Sequence, residues 1–242
     1  MTTTEQHYDG ISHHEAPEVV HHRQRLGIWI FIAGDVVSMC ALLFTYLYLR
    51  GTNTGGHWMS IEGVPARGRT MEQIQAFLED GGSMVVNHES PLSRGLAWSI
   101  AAVVVASATA LWWGERTYRS HGERMSLRVG TSGALLLTVT SLVLIVMQLR
   151  SVPQYWRTEA DSQLFIYSAY GSSMLAIGLS ALIHGAILVF LGLGILRRTS
   201  RPSSAATLGS HATLVRMFWV WVALSTVIIT TVVTTLTTVS GS

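Results

Sequence analysis

Five stretches of this chain are long and apolar enough to cross a bilayer: Leu26 to Leu49, Leu96 to Trp113, Val129 to Leu149, Leu164 to Leu196 and Met217 to Val239. Spanning about 30 Å of hydrocarbon takes about 20 helical residues. Inside that layer no water is available to backbone N–H and C=O groups, so only helices or closed barrels can satisfy them. The five stretches lack the alternating lipid-out, lumen-in pattern of a membrane strand. The expected fold is therefore an all-α membrane protein, a bundle of five transmembrane helices. Composition agrees, with 49% hydrophobic and only 12% charged residues, against about 25% charged in a soluble domain.

The cationic residues, all arginine, set the expected orientation through the bias of short loops on the cytoplasmic side. Ten flank the N-terminal side of the bundle: Arg23, Arg25, Arg116, Arg119, Arg124, Arg128, Arg197, Arg198, Arg201 and Arg216. Six flank the other: Arg50, Arg67, Arg69, Arg94, Arg150 and Arg157. The N-terminus is expected in the cytoplasm and the C-terminus outside. Residues 1–25 form a polar, His-rich cytoplasmic tail without the short apolar core of a secretory signal, so it is expected to be retained. Residues 26–239 form the five-helix domain, interrupted by an extracytoplasmic loop at 51–91. Within that loop Met71, Ile74, Phe77 and Leu78 recur at helical spacing. The loop is either an amphipathic surface helix stopped by Gly81 and Gly82, or an unstructured insertion.

Asp35 stands inside the first span. An acid there costs about 2.5–3.5 kcal/mol on insertion scales and turns toward protein or water. At 1.5 Å per residue it lies about 13 Å inside the cytoplasmic boundary, with Ser38 one turn on as a candidate hydrogen-bond donor. The same helix carries small residues at Gly27, Gly34, Ser38, Ala41 and Thr45, which would let a neighbouring helix approach closely. Asp35 falls about 85° from the centre of that stripe, on its flank. The fourth span repeats the arrangement, with a small face of Gly171, Gly178, Ala181, Gly185 and Gly192 beside a polar line of Ser173, Ser180 and His184. His184 is the one histidine deep in a span, about 18 Å from the cytoplasmic end, so its depth permits contact with Asp35, directly or through water. The bland reading is a protonated acid and a packing histidine; the functional one is a site for lipid, proton or partner subunit.

One deep histidine, one deep acid and one cysteine, Cys40, are too few ligands for a haem, copper or non-haem iron site in this chain. No catalytic, cofactor-binding or metal-ligating residues are expected. The tail histidines His7, His13, His14, His21 and His22 either hold a transition metal weakly or are simply solvated. Without lysine no phosphate loop of the Gly-x-x-x-x-Gly-Lys type can form. No Ser/His/Asp arrangement is credible, and no cationic cluster suits nucleic acid.

The motifs resemble subunit III of the haem-copper oxidases, in its bacterial five-helix form. "LGIWIFIAGDVVSMCALLFTYLYLR" is similar to that family's first conserved helix, Leu-Gly-x-Trp-x-Phe-Leu-x-Ser-Glu ending in Tyr-x-x-x-Arg, with Gly34-Asp35 where the family has Ser-Glu. "YSAYGSSMLAIGLSALIH" is similar to its Ala-Tyr-Gly-Ser motif and His-x-x-His helix; the second histidine falls on His184 and the first on Ala181. Gln148 matches a glutamine at the end of the family's preceding helix. In the last helix "RMFWVWVAL" keeps aromatics but lacks the family's acid. The resemblance runs from Leu26 to about Leu196.

The resemblance implies a non-catalytic subunit of a respiratory terminal oxidase of the cytochrome c oxidase type, which supports assembly, lipid binding and proton uptake. Haem and copper are expected in partner subunits, the partners being the catalytic subunit I and subunit II together with membrane phospholipid. The expected place is the bacterial inner (plasma) membrane, in aerobic electron transport and proton translocation. Asp35 and His184 would line the lipid-bearing cleft or tune its polarity, with Ser38, Ser173 and Ser180 as polar neighbours. Two alternatives stay open: an accessory protein of nitric oxide reductase from the same family, and a small proton-coupled transporter using Asp35 and His184 as relay groups.

Overall fold

The structure is a computed structural model, and it describes the backbone at residues 17–51, 61–62, 85–86, 93–159, 169–200 and 205–235. Five helices make up almost all of it: α1 (Pro17–Gly51), α2 (Arg94–His121), α3 (Arg124–Glu159), α4 (Ala169–Thr199) and α5 (Ala205–Thr235). Each contains a stretch long and apolar enough to cross a membrane, and the chain is an all-α, multi-pass membrane bundle. Large apolar side chains point outward all round it, among them Val37, Phe44, Leu136 and Phe190, each at least 69% exposed. Such a surface suits hydrocarbon and not water.

α1, α2 and α3 outrun the stretches that hydropathy alone marks, α5 begins well before Met217, and α4 runs past Leu196 to Thr199, its expected start at Leu164 lying outside the described residues. α1 has 35 residues, about 52 Å of helix, against about 30 Å of hydrocarbon. It begins at Pro17, so the last part of the polar tail, with His21 and His22, is already helical. α2 continues past Trp113 to His121, because helix propensity does not stop where the bilayer does. Its ends are fixed chemically. The Ser93 side chain accepts from the Leu96 amide at 3.3 Å, and Gly122, with φ of 73°, lets its own N–H donate to the Tyr118 carbonyl. Only a residue tolerant of the left-handed region closes a helix this way. α3 starts two residues later, which forces an antiparallel hairpin.

That hairpin is the tightest contact in the bundle. A Cβ on Gly130 would lie 2.7 Å from the Gly114 Cα and 2.8 Å from the Ala110 carbonyl, so the two backbones touch where neither helix has a side chain. α3 then packs on α4 by another device. Leu135, Leu142 and Leu149, spaced by seven, rest on Gly192, Gly185 and Gly178, where an added Cβ would meet leucine carbons at 2.4–2.6 Å. The small face of α4 therefore receives α3. α5 closes the group against α2 and α4, burying Phe218 and Trp219 almost completely.

α1 is peripheral. Among the described residues its backbone comes close only to α4 and α5, and 6% of its apolar stretch is buried against 39% for α2, α3 and α5. The small-residue stripe on α1 was expected to receive a neighbouring helix; instead a Cβ at Gly27 or Gly34 would meet nothing within 4 Å. The side that α1 turns to the bundle is instead the one carrying Ile32, Asp35 and Tyr46, with Ile28 and Val36 packed beside them. The stripe is left facing away.

Of the long loop, the described part is one short antiparallel ladder, β1 (Ile61–Glu62) with β2 (Val85–Val86), pairing Ile61 with Val86 and Glu62 with Val85. The amphipathic segment around 71–78, the histidines His7, His13 and His14, and the expected end of the last span at Val239 lie outside the described residues.

Candidate functional site: an acid and a histidine inside the bundle

Asp35 on α1 and His184 on α4 meet. His184 Nε2 lies 2.9 Å from both Asp35 Oδ1 and Asp35 Oδ2. The other ring nitrogen fixes the tautomer. Nδ1 sits 2.6 Å from the carbonyl oxygen of Ser180, which can only accept, so Nδ1 carries a hydrogen and donates it. Nε2 therefore faces the carboxyl group across this contact. A proton shared there, whether on the imidazole or on the carboxyl group, would leave the pair without net charge, the form a membrane interior tolerates.

A third residue joins the pair. The indole Nε1 of Trp221, on α5, donates to Asp35 Oδ2 at 2.5 Å. Sequence reasoning offered Ser38 for this role, and the structure corrects it. The Ser38 hydroxyl donates 3.1 Å back to the Gly34 carbonyl of its own helix, the habitual use of serine within a helix. Ser180 contributes its backbone carbonyl; its hydroxyl stands 3.4 Å from Nδ1, too far to matter much. Ser173 is buried and partnered elsewhere, about three turns from His184 along α4, and does not join the pair. Trp221 was legible only as a retained aromatic in "RMFWVWVAL", since nothing in a sequence shows which tryptophan of two faces a carboxylate.

The pair borders a small cavity of about 50 Å³ at the centre of the bundle. Besides Asp35, Ser38, Ser180 and His184, its walls include the hydroxyl residues Thr138, Ser141, Ser225 and Thr226. That volume is room for about three or four waters. Part of this polar lining is already tied down. Trp219 Nε1 donates to Ser107 Oγ at 2.5 Å, and Ser107 shares a 2.9 Å bond with Thr138, joining α5, α2 and α3.

A second polar cluster escaped the sequence analysis. Glu115 on α2 is 1% exposed, with Arg119 Nε 3.0 Å from Oε1 and Arg216 Nε 2.9 Å from Oε2. The Thr213 hydroxyl adds a bond to Oε1 at 2.6 Å. It lies where α2 ends and α5 begins, so it clamps the arginine-rich end of the bundle. Nearby the Arg116 guanidinium covers the Trp112 ring at 5.2 Å. The signal was the i, i+4 spacing of Glu115 and Arg119 just past the apparent end of a span.

As a metal or haem ligand His184 fits poorly, because both ring nitrogens are committed, one to Ser180 and one to Asp35. Among the described residues no three His, Cys, Asp or Glu side chains gather as a ligand group. What the arrangement can do is place an acid and an imidazole together beside a small cavity and bind α1 to α4 and α5. Compared with known families and curated proteins, the chain matches no family model and no curated sequence.

Proposed function

We propose that this chain is a non-catalytic, subunit III-like component of a bacterial haem-copper terminal oxidase. In that role it packs against the catalytic subunit I and subunit II, which carry the haem and copper, and sits in the plasma membrane with its arginine-rich end in the cytoplasm. The observation that supports the reading is the 2.9 Å contact of Asp35 with His184. The subunit III resemblance singles out two intramembrane positions, an acid and a histidine, which fall here on residues 149 apart in sequence. They meet in the fold. The pair, with Trp221 and the small cavity beside it, would give the cleft a polar lining at mid-depth beside bound phospholipid, supporting assembly and proton uptake without transferring electrons.

Affinity purification of the tagged chain from its native membrane tests this. Copurification of a partner with haem-copper absorption and oxygen-consuming activity is the expected result. Recovery of a nitric oxide reductase would move the chain to the accessory role in that complex. Proton-coupled solute flux in liposomes by the chain alone would replace the reading altogether.

A further inference from the structure

At the arginine-rich end of the bundle, where α1 begins, α4 ends and α5 begins, two histidines from different helices come together. His211 on α5 is half-buried, and its Nδ1 donates to the Thr207 carbonyl at 2.7 Å. Protonating that ring places a charge in the field of Arg198, in the last turn of α4, and of His21, a second ring that can become cationic, in the second turn of α1. His21 faces inward. Its Nδ1 and the Oε1 of Gln24, one turn further on, are shut away from the surface without a hydrogen-bond partner among the described residues. Because α1 comes close only to α4 and α5 there, inward means against those two helices.

The acids of this end are engaged elsewhere. Glu115 on α2 is held by Arg119 and Arg216 and reaches α5 through Thr213. At 100° per residue Thr213 stands about 200° round α5 from His211, on another side. Tyr118 of α2 meets α5 at Gly209, again about 200° away. Glu123 lies in the α2–α3 turn beside Ser126, and Arg128 of α3 donates to Ser200. Among the described residues, the ionisable side chains that act on His211 are thus Arg198 and His21, and neither is an acid. Both histidines lie outside the apolar stretches that begin at Leu26 and Met217. Burial holds the His211 pKa below its usual value; the Thr207 bond opposes this, and Arg198 and His21 add to it.

We propose that the start of α1 is an acid-sensitive latch: with both rings neutral it closes on α4 and α5, and when they take up protons their charges, with that of Arg198, push its first turns off the bundle. The sign follows from linkage. Attachment is complete above about pH 6.5, where a detached histidine is neutral, and weakens as pH falls below it. The rest of α1 stays in place, since Asp35 and Tyr46 hold it further along. The latch does not depend on which complex the chain joins.

The test uses the full chain in nanodiscs, with a nitroxide at Val19→Cys in a Cys40→Ser background, both positions being exposed. Its mobile spectral component should rise several-fold as pH falls from about 7.5 to about 5.5. His211→Gln should abolish the rise, and Arg198→Gln should shrink it. Should His211→Gln fail to fold, His21→Gln removes the other ring and should reduce the rise as well. A second label at Val220→Cys on α5 should stay unchanged throughout. A Val19 signal that ignores pH overturns the inference, as does a rise that the histidine variants leave intact or that Val220 shares, since acid would then be loosening the whole bundle.

Discussion

A carboxyl group taken out of water needs partners in place of the solvent it gave up, and Asp35 has two, His184 on one neighbouring helix and the Trp221 indole N–H on another. Interhelical hydrogen bonds in membranes contribute about 1 kcal/mol each, and leaving a buried charge unpaired costs more. Trp221→Phe should therefore lower stability by about 1 kcal/mol, seen as an earlier midpoint in denaturant unfolding from detergent. In a double-mutant cycle, Asp35→Asn and His184→Ala should show a coupling of about 1 kcal/mol or more; strictly additive effects would mean the two side chains do not act together. Glu115 is the stricter case, because it is more deeply buried than Asp35 and its partners leave little slack. Glu115→Ala strands Arg216 and should cost about 3 kcal/mol on the same assay.

Between helices, glycine decides what can pack. The leucines of α3 occupy the space that side chains at Gly178, Gly185 and Gly192 of α4 would fill. Gly185→Ala, whose new methyl would fall 2.4 Å from a Leu142 methyl, should destabilise the bundle by about 1–3 kcal/mol, with partial rescue by Leu142→Ala. Gly34→Ala on α1 makes the opposite prediction from the same residue type. Nothing lies within 4 Å of its new methyl, and alanine is the better helix former, so stability should stay level or rise by up to about 1 kcal/mol. A loss comparable to Gly185→Ala would show that the exposed stripe of α1 is covered after all. Both stripes were legible in the sequence as spacing. Which one receives a helix was not, because the spacing of glycines records only where a neighbour could come close.

At the scale of the whole molecule the helices form one group of four, α2 to α5, with α1 laid against α4 and α5. The arginine clamp around Glu115 lies at the end where α1 begins and α2 stops, which the positive-inside bias would put in the cytoplasm. Alkaline phosphatase fused after Ser242 should then be active and a fluorescent protein fused there dark, with the reverse after an N-terminal fusion. An inactive phosphatase at the C-terminus would invert the proposed topology. Because α1 meets the rest along one side only, through Ile28, Phe31, Ile32, Asp35, Val36 and Tyr46, it is the element whose attachment depends most on single residues.

The sequence by itself determined the class of fold and the number and order of its spans. Those follow from composition over windows of about 20 residues, since the bilayer imposes one length and one way of satisfying the backbone. It also determined that Asp35 and His184 stand at similar depth, because rise per residue is fixed in a helix. Rotation of each helix about its axis, and the choice of neighbour, were decided only by the tertiary structure. That is why Trp221 takes the place proposed for Ser38, why Glu115 is clamped inside a helix end that hydropathy had discarded, and why the stripe of α1 faces away. Depth is a property of one helix, whereas a facing partner depends on how several helices share the same space.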